Sequence, residues 1–99
     1  MRIVAGIEAL SAFRPAIQSI AKLHGASNIR VFGSYARGDA RADSDLDLLV
    51  DMGPERSLLD TVGLIQDLQE ALGRRVDVVT ENALHRLLRP GILKEARPL

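Results

Sequence analysis

The 99-residue sequence contains no cysteine, which excludes disulfide bonds and thiolate zinc sites. Aromatic residues are scarce: only Phe13, Phe32 and Tyr35 are present, so the core must be aliphatic and stacking platforms for nucleic acid are lacking. No apolar run approaches the roughly 20 residues of a membrane span, and Glu8 interrupts the amino-terminal apolar segment. We therefore expect a cytoplasmic protein that does not bind membranes.

The sequence also has no excess of positive or negative charge, because 13 basic residues balance 13 acidic ones. A neutral chain lacks the basic face that nucleic-acid-binding modules usually carry, so nucleic acid is not expected as a direct ligand. With 46% hydrophobic and 26% charged residues, the composition is that of a folded chain, and we expect one domain spanning residues 1–99. The acidic residues concentrate in positions 39–60, which suits a site for divalent metal.

The most informative stretch is Val31–Asp51, which reads VFGSYARGDARADSDLDLLVD. A Gly33-Ser34 pair directly follows an apolar strand, and Asp45 and Asp47 alternate along a second strand. Successive side chains of a strand point to opposite faces, so both aspartates project from one face, with Cα atoms roughly 6.5 Å apart. Two carboxylates at this spacing can reach one hard cation or a pair of them. The stretch predicts a metal site facing a phosphate-binding turn.

Two better-known motifs fail on residues that they require. Gly33–Gly38 matches the first six positions of a P-loop, but Asp39-Ala40 stands where Lys and Ser or Thr must be. The aspartates that begin at Asp43 imitate an EF-hand loop, but its position six is Leu48 instead of Gly, and position twelve is Pro54 instead of Glu. Neither motif therefore explains the stretch.

Hydrophobic periodicity and turn residues predict an α+β fold, a small mixed β-sheet with helices packed on one face. The predicted elements are a short helix over 7–13, a helix from Pro15 to Gly25, a buried strand over 28–32, a short segment over 34–37, strands over 45–50 and 75–80, and helices over 57–73 and 81–88. If the third strand lies beside the second, Asp77 joins Asp45 and Asp47 on one face. That arrangement would make a triad of carboxylates.

Several details accompany these elements. Ser57 and Asp60 form a capping-box pattern at the start of the long helix. Its predicted apolar stripe consists of Leu58, Val62, Ile65, Leu68 and Leu72. Pro90 is expected to separate the last helix from a short amphipathic tail, while Tyr35 and His85 are expected at the surface or only partly packed. Four apolar residues near the carboxyl end are candidates for a partner contact, namely Leu87, Leu88, Ile92 and Leu93.

The combination of Gly-Ser, ten residues, Asp-x-Asp and a later lone Asp resembles the nucleotidyltransferase superfamily with the DNA polymerase β fold. The short chain is similar to its minimal members, the MNT antitoxins that are paired with HEPN-domain ribonuclease toxins. The segments GSYARGDARADSDLDLLVDM, SLLDTVGLIQDLQEALG and RRVDVVT carry this resemblance over nearly the whole sequence. It implies a polymerase β palm-like nucleotidyltransferase fold.

The resemblance also implies roles for individual residues. Asp45, Asp47 and Asp77 would be catalytic and would hold Mg²⁺ in a two-ion site, because two metal ions suit in-line nucleotidyl transfer. Asp77 would act as a base or orient the nucleophile, and these alternatives stay open. Gly33 and Ser34 would bind the β- and γ-phosphates of ATP through backbone N–H groups and the serine hydroxyl.

Two arginines would assist the phosphates. Arg37 is the nearest positive charge for the leaving pyrophosphate, and Arg41 is a second candidate. The alternative for Arg37 is a salt bridge to a loop aspartate such as Asp39 or Asp43.

The function implied by the resemblance is transfer of AMP from ATP to a hydroxyl of a cognate HEPN ribonuclease toxin, in that family a tyrosine, within a hetero-oligomer. Because the sequence holds no added acceptor domain, we expect a partner protein to complete the site. Two rival hypotheses remain. The chain could neutralise its partner by binding and occlusion alone, or it could be a nucleotidyltransferase that modifies a small molecule or an RNA end.

Overall fold

The structure is a computed structural model that describes residues 5–99, and it contains one four-stranded mixed sheet. The strands are β1 (Ala26–Phe32), β2 (Leu46–Met52), β3 (Val76–Val79) and β4 (Arg97–Pro98). The helices are α1 (Arg14–Leu23), α2 (Ser34–Arg37), α3 (Leu58–Leu72) and α4 (Arg89–Glu95), with 3₁₀ turns over Ile7–Phe13 and Glu81–Ala83. The strand order is β3-β2-β1-β4, in which only β2 and β3 run parallel. The predicted mixed α+β fold is confirmed.

The core lies between the sheet and helices α1 and α3. In β2, Leu46, Leu48 and Val50 alternate along the strand and are almost completely buried, as the period of two predicts. Leu49 points to the opposite face and is also buried, and the 3₁₀ turn after β3 contacts β2. The second face of the sheet is therefore partly covered.

Helix α3 begins and ends as predicted but buries a narrower stripe. Ser57 and Asp60 form the capping box, and Gly73 ends the helix in the left-handed conformation at φ +65°. The buried residues are Leu64, Leu68 and Leu72, whereas the predicted Leu58 and Val62 are exposed. At 3.6 residues per turn, Val62 lies about 120° around the helix axis from Leu68 and so cannot face the same core.

Helix α1 has Pro15 in its first turn and buries Ile17 and Ala21, whereas Leu23 at its end is exposed. His24 caps this end, and its Nε2 lies 2.6 Å from Oδ2 of Asp67 on α3. The contact ties α1 to α3. Within residues 5–99, none of the helices combines the length and the apolar character needed to cross a membrane.

Strand β1 is less buried than predicted. Only Ala26 and Val31 are fully buried in it, and its pairing with β2 shifts register between Ser27 and Arg30. Asn28 lies in this irregular segment with a positive φ of 50°. The shift breaks the alternation that a regular buried strand would show.

The carboxyl-terminal part differs from the predicted helix over 81–88. A 3₁₀ turn ends at Leu84, which is extended, and the helix begins only at Arg89. Pro90 lies in the first turn of α4, where its missing N–H costs no hydrogen bond, so it starts a helix instead of separating one from a tail. After α4 the chain pairs with β1 as β4.

Candidate active site

The three predicted carboxylates lie at one end of the sheet. Asp47 on β2 is the register partner of Asp77 on β3, so their Cα atoms are about 4.8 Å apart, the spacing of neighbouring strands. Asp45 directly precedes β2 and, two residues from Asp47, projects from the same side. The sheet thus brings together the three aspartates that the sequence pattern singled out.

The surroundings of Asp47 affect its ionisation. Asp77 is exposed, whereas Asp47, like Asp45, is half-buried. Its burial, followed by the charges of Asp77 and Asp45, raises the pKa of Asp47 to about 6. The negative field at this carboxylate is therefore strong, and any cation beside it would relieve the repulsion.

The Gly33 turn lies directly against Asp47. Phe32, the last residue of β1, is the register partner of Asp47, and Gly33 follows with φ +75°. A β-carbon at Gly33 would overlap the Asp47 carboxylate, so both the conformation and the space require glycine. Ser34 then begins α2, whose first N–H groups have no partner within the helix. The turn and the carboxylate are in contact, as the sequence predicts for a phosphate-binding turn facing a metal site.

Tyr35 anchors α2 to the rest of the domain. It is 2% exposed, so the prediction of a surface or partly packed Tyr35 is wrong, while His85 is exposed as expected. Arg74 donates a hydrogen bond to the Tyr35 hydroxyl, and its guanidinium lies over the rings of Phe13 and Tyr35 at 5.9 and 5.6 Å. Three residues distant in the sequence make this contact, so no local pattern could have indicated it.

The two candidate arginines differ. Arg37 is near enough to Asp47 for its charge to lower the pKa of that carboxyl, but its Nη1 lies 2.6 Å from Oε1 of Glu95 and its Nε 3.5 Å from Oδ2 of Asp39. The alternative of a salt bridge to Asp39 is therefore present in the structure. Arg41 has an exposed side chain, and its backbone N–H donates to Oγ of Ser44 at 2.7 Å.

Glu95 is a residue of this site that sequence reasoning missed. It ends α4, and its charge also raises the pKa of Asp47. The helix that carries it was predicted in the wrong place, and nothing in the local sequence marks a glutamate after Lys94 as functional. Only the path of α4 toward Arg37 brings it to the site.

The donor set suits a hard divalent cation. Within residues 5–99, no three His, Cys, Asp or Glu side chains are already arranged to hold a metal ion. Asp45, Asp47 and Asp77 nevertheless offer oxygen ligands on adjacent strand positions, which is the donor chemistry that Mg²⁺ prefers. Because the donors are carboxylate oxygens from neighbouring positions at one end of the sheet, these residues fit such an ion.

Comparison with protein families identifies the family of this chain. The model of the family described as nucleotidyltransferase domain matches residues 11–99. The chain belongs to the nucleotidyltransferase domain family. The family's fold accounts for the mixed sheet that presents the aspartates, and the family resemblance seen in the sequence is confirmed.

Relatives and solved structures agree with this membership. A provisionally named protein adenylyltransferase of Methanocaldococcus jannaschii is 49% identical over 73 residues, 74% of this chain and 78% of its own length. The protein adenylyltransferase MntA of Thermococcus cleftensis is 44% identical over 71 residues, 72% of each chain. A solved structure provisionally described as a minimal nucleotidyltransferase matches with a TM-score of 0.82 and 51% identity, over 95% of this chain and 96% of the other.

A more distant structure shares the fold. It is a toxin–antitoxin complex with AMP-PNP, which matches this nucleotidyltransferase with a TM-score of 0.73 and 23% identity, over 85% of this chain and 69% of the other. At that identity the likeness concerns the backbone arrangement alone.

Proposed function

We propose that this nucleotidyltransferase uses ATP and Mg²⁺ to transfer AMP to a hydroxyl group of a partner protein. Support comes from the two relatives described above, at 49% and 44% identity, whose names both describe protein adenylyltransferases. The observation that carries the proposal is the position of Asp47, which touches the Gly33 turn on one side and faces Asp77 on the other. A nucleotide that spans these groups would have its phosphates at the turn and its reacting phosphorus beside the carboxylates.

The Gly33-Ser34 turn would bind the β- and γ-phosphates. Backbone N–H groups at the start of α2 and the Ser34 hydroxyl are the available donors, and the absence of a β-carbon at Gly33 leaves room for close approach. Arg37 adds a positive charge on the same short helix. These donors would stabilise the pyrophosphate as negative charge accumulates on it.

The transfer step requires no covalent intermediate. The oxygen of the acceptor hydroxyl attacks the α-phosphorus of ATP, forming a new P–O bond, and the bond from that phosphorus to the bridging oxygen breaks. Pyrophosphate leaves with the electron pair. The hydroxyl proton passes to Asp77, which lies at the exposed side of the carboxylate group where an acceptor can approach.

Asp45, Asp47 and Asp77 would hold the magnesium. When bound, Mg²⁺ would neutralise charge on the triphosphate and would help to align the attacking and leaving oxygens. The protein's own contribution is the register of β2 and β3, which sets the spacing of Asp47 and Asp77.

We further propose that the partner is a toxin, specifically a HEPN-domain ribonuclease, and that modification of one of its hydroxyl groups, a tyrosine, neutralises it. Leu87, Leu88 and Leu93 are 80%, 61% and 37% exposed, and Leu93 lies on the helix that ends at Glu95. An apolar surface joined to the site in this way suits a protein acceptor better than a small molecule. These leucines are the proposed contact, whereas Ile92 is half-buried.

The test is the intact mass of the partner after incubation with this chain, ATP and Mg²⁺, using the product of the adjacent reading frame. We expect a mass increase of one or more AMP groups that disappears with EDTA and with Asp45→Asn or Asp47→Asn. Asp43→Asn makes the same charge change in the exposed loop before the motif and should leave the modification intact. Loss of toxin activity without any mass change, in the variants as in the natural chain, would replace transfer by occlusion.

A further inference from the structure

Glu95 forms an ion pair with Arg37, whose positive charge would otherwise be available to a triphosphate. Its Oε1 lies 2.6 Å from Nη1 of Arg37, the shortest ion pair that the described residues make with this arginine. Charge-assisted hydrogen bonds of this length are among the stronger polar contacts in proteins. Arg37 is also held by Asp39 at 3.5 Å, so two carboxylates already share its guanidinium.

The position of Glu95 is set by the fold and not by the motif helix. Glu95 is the last residue of α4, and two residues later the chain enters β4, where Arg97 pairs with Val31 of β1. Its side chain is 24% exposed, against 54% for Arg37. The glutamate is therefore the more confined partner, and Arg37 is the one with freedom to turn toward another ligand.

The same carboxylate acts on the reaction centre. Glu95 adds negative charge near Asp47, whose carboxylate is already repelled by the charges of Asp77 and Asp45. A nucleotide brings several further negative charges to this place. Glu95 thus opposes nucleotide binding in two ways, by engaging Arg37 and by repelling the phosphates.

We propose that Glu95 is a positioning residue of the nucleotide site, which holds Arg37 away from the triphosphate until the nucleotide displaces it. This inference rests on the proposed function, because it takes Arg37 to be a phosphate ligand. It assigns a role to α4, the element that the motif leaves unexplained. Nucleotide binding and the Arg37–Glu95 pair then exclude each other.

The experiment measures the affinity of the full chain for Mg²⁺ and AMP-PNP by calorimetry in the natural chain and in Glu95→Gln. We expect the Kd to fall about three- to fivefold in Glu95→Gln, the range of a partly exposed ion pair. In an Arg37→Gln background, the same substitution should lower the Kd by a clearly smaller factor, because the repulsion of the phosphates is relieved but no cation remains to be released. Thermal unfolding of each variant establishes that it is folded.

Glu81→Gln is the matched control. Glu81 also pairs with arginines, Arg30 and Arg89, but it follows β3 at the opposite end of the sheet. About four strand residues separate that end from Asp47, roughly 13 Å, which exceeds the screening length at physiological salt. This variant should bind AMP-PNP as the natural chain does.

Three results would overturn the inference. An unchanged or weaker affinity of Glu95→Gln for AMP-PNP would exclude competition between Glu95 and the nucleotide for Arg37. An equal gain in affinity with and without Arg37 would show that Glu95 acts only by repelling the phosphates. Both of these leave the proposed function standing. Failure of every variant, including the natural chain, to bind AMP-PNP would instead remove the proposed function together with the inference.

Discussion

The α-carbon of Gly33 lies against the carboxylate of Asp47, so closely that a β-carbon would overlap Oδ2. The contact joins the Gly33 turn, the proposed phosphate site, to the carboxylate that is flanked by Asp45 and Asp77. Because Gly33 also has a φ of +75°, two independent constraints fix the same residue.

Gly33→Ala should abolish AMP transfer and lower the free energy of unfolding by about 2–3 kcal/mol, since it adds backbone strain and displaces Asp47. Gly38→Ala separates the effect of backbone strain from the effect of displacing Asp47. Gly38 has a similar φ of +82° but open space around its β-carbon position, so its substitution should cost only about 1 kcal/mol and preserve transfer. Denaturant unfolding measures the stability of each variant, and a transfer assay measures its activity. Equal loss of activity in the two variants would mean that contact with Asp47 is unimportant.

Asp47→Asn should stabilise the metal-free protein at neutral pH while abolishing transfer. A carboxyl group whose pKa is raised to about 6 binds its proton more tightly when folded, so the folded state loses stability as pH rises from about 4 to 6. The shift corresponds to at most about 3 kcal/mol, and partial exposure reduces it to about 1–2 kcal/mol. Unfolding in EDTA between pH 4 and pH 7 should show this decline in the natural chain and in Asp43→Asn, but not in Asp47→Asn.

Asp77→Asn should reduce the rate of transfer by about 10²- to 10⁴-fold, the usual contribution of a positioned base. If its main role is toward the acceptor, AMP-PNP affinity should change much less than the rate. Single-turnover transfer and calorimetry make the comparison. A loss confined to nucleotide affinity would show that Asp77 serves only as a metal ligand.

Replacing Leu87 and Leu88 with Ser should raise the KM for the partner protein without changing AMP-PNP affinity. The control is another exposed leucine pair, Leu58 and Leu59, which are 78% and 80% exposed at the start of α3. Both double variants remove similar apolar surface, so solubility effects should be shared. A higher KM in the Leu58 and Leu59 variant alone would show that the partner contacts α3 instead of Leu87 and Leu88.

Local patterns predicted the parts of the site that neighbouring residues determine. The alternation in β2 placed Asp47 opposite the buried Leu46 and Leu48, and the capping residues fixed the start of α3. The pairing of Asp47 with Asp77 followed once β3 was placed beside β2.

Long-range contacts supplied what the sequence could not predict. The burial of Tyr35 depends on Arg74, and the position of Glu95 depends on where α4 begins and how it returns to β1. At both places, residues that are far apart in the sequence meet through tertiary packing. Hydrophobic periodicity and capping motifs involve only neighbouring residues, so they do not predict such contacts.

The brevity of β4 has a consequence for the Arg37–Glu95 pair. Arg97 and Pro98 are the only residues of this strand, and the Leu99 N–H adds one hydrogen bond to the Ile29 carbonyl at 3.1 Å. So few backbone bonds make local opening cheaper than global unfolding, and we expect amide hydrogens here to exchange faster than those of β2. Each opening of β4 would carry Glu95 away from Arg37. The opening of this short edge strand would therefore determine how often Arg37 is free to bind a nucleotide.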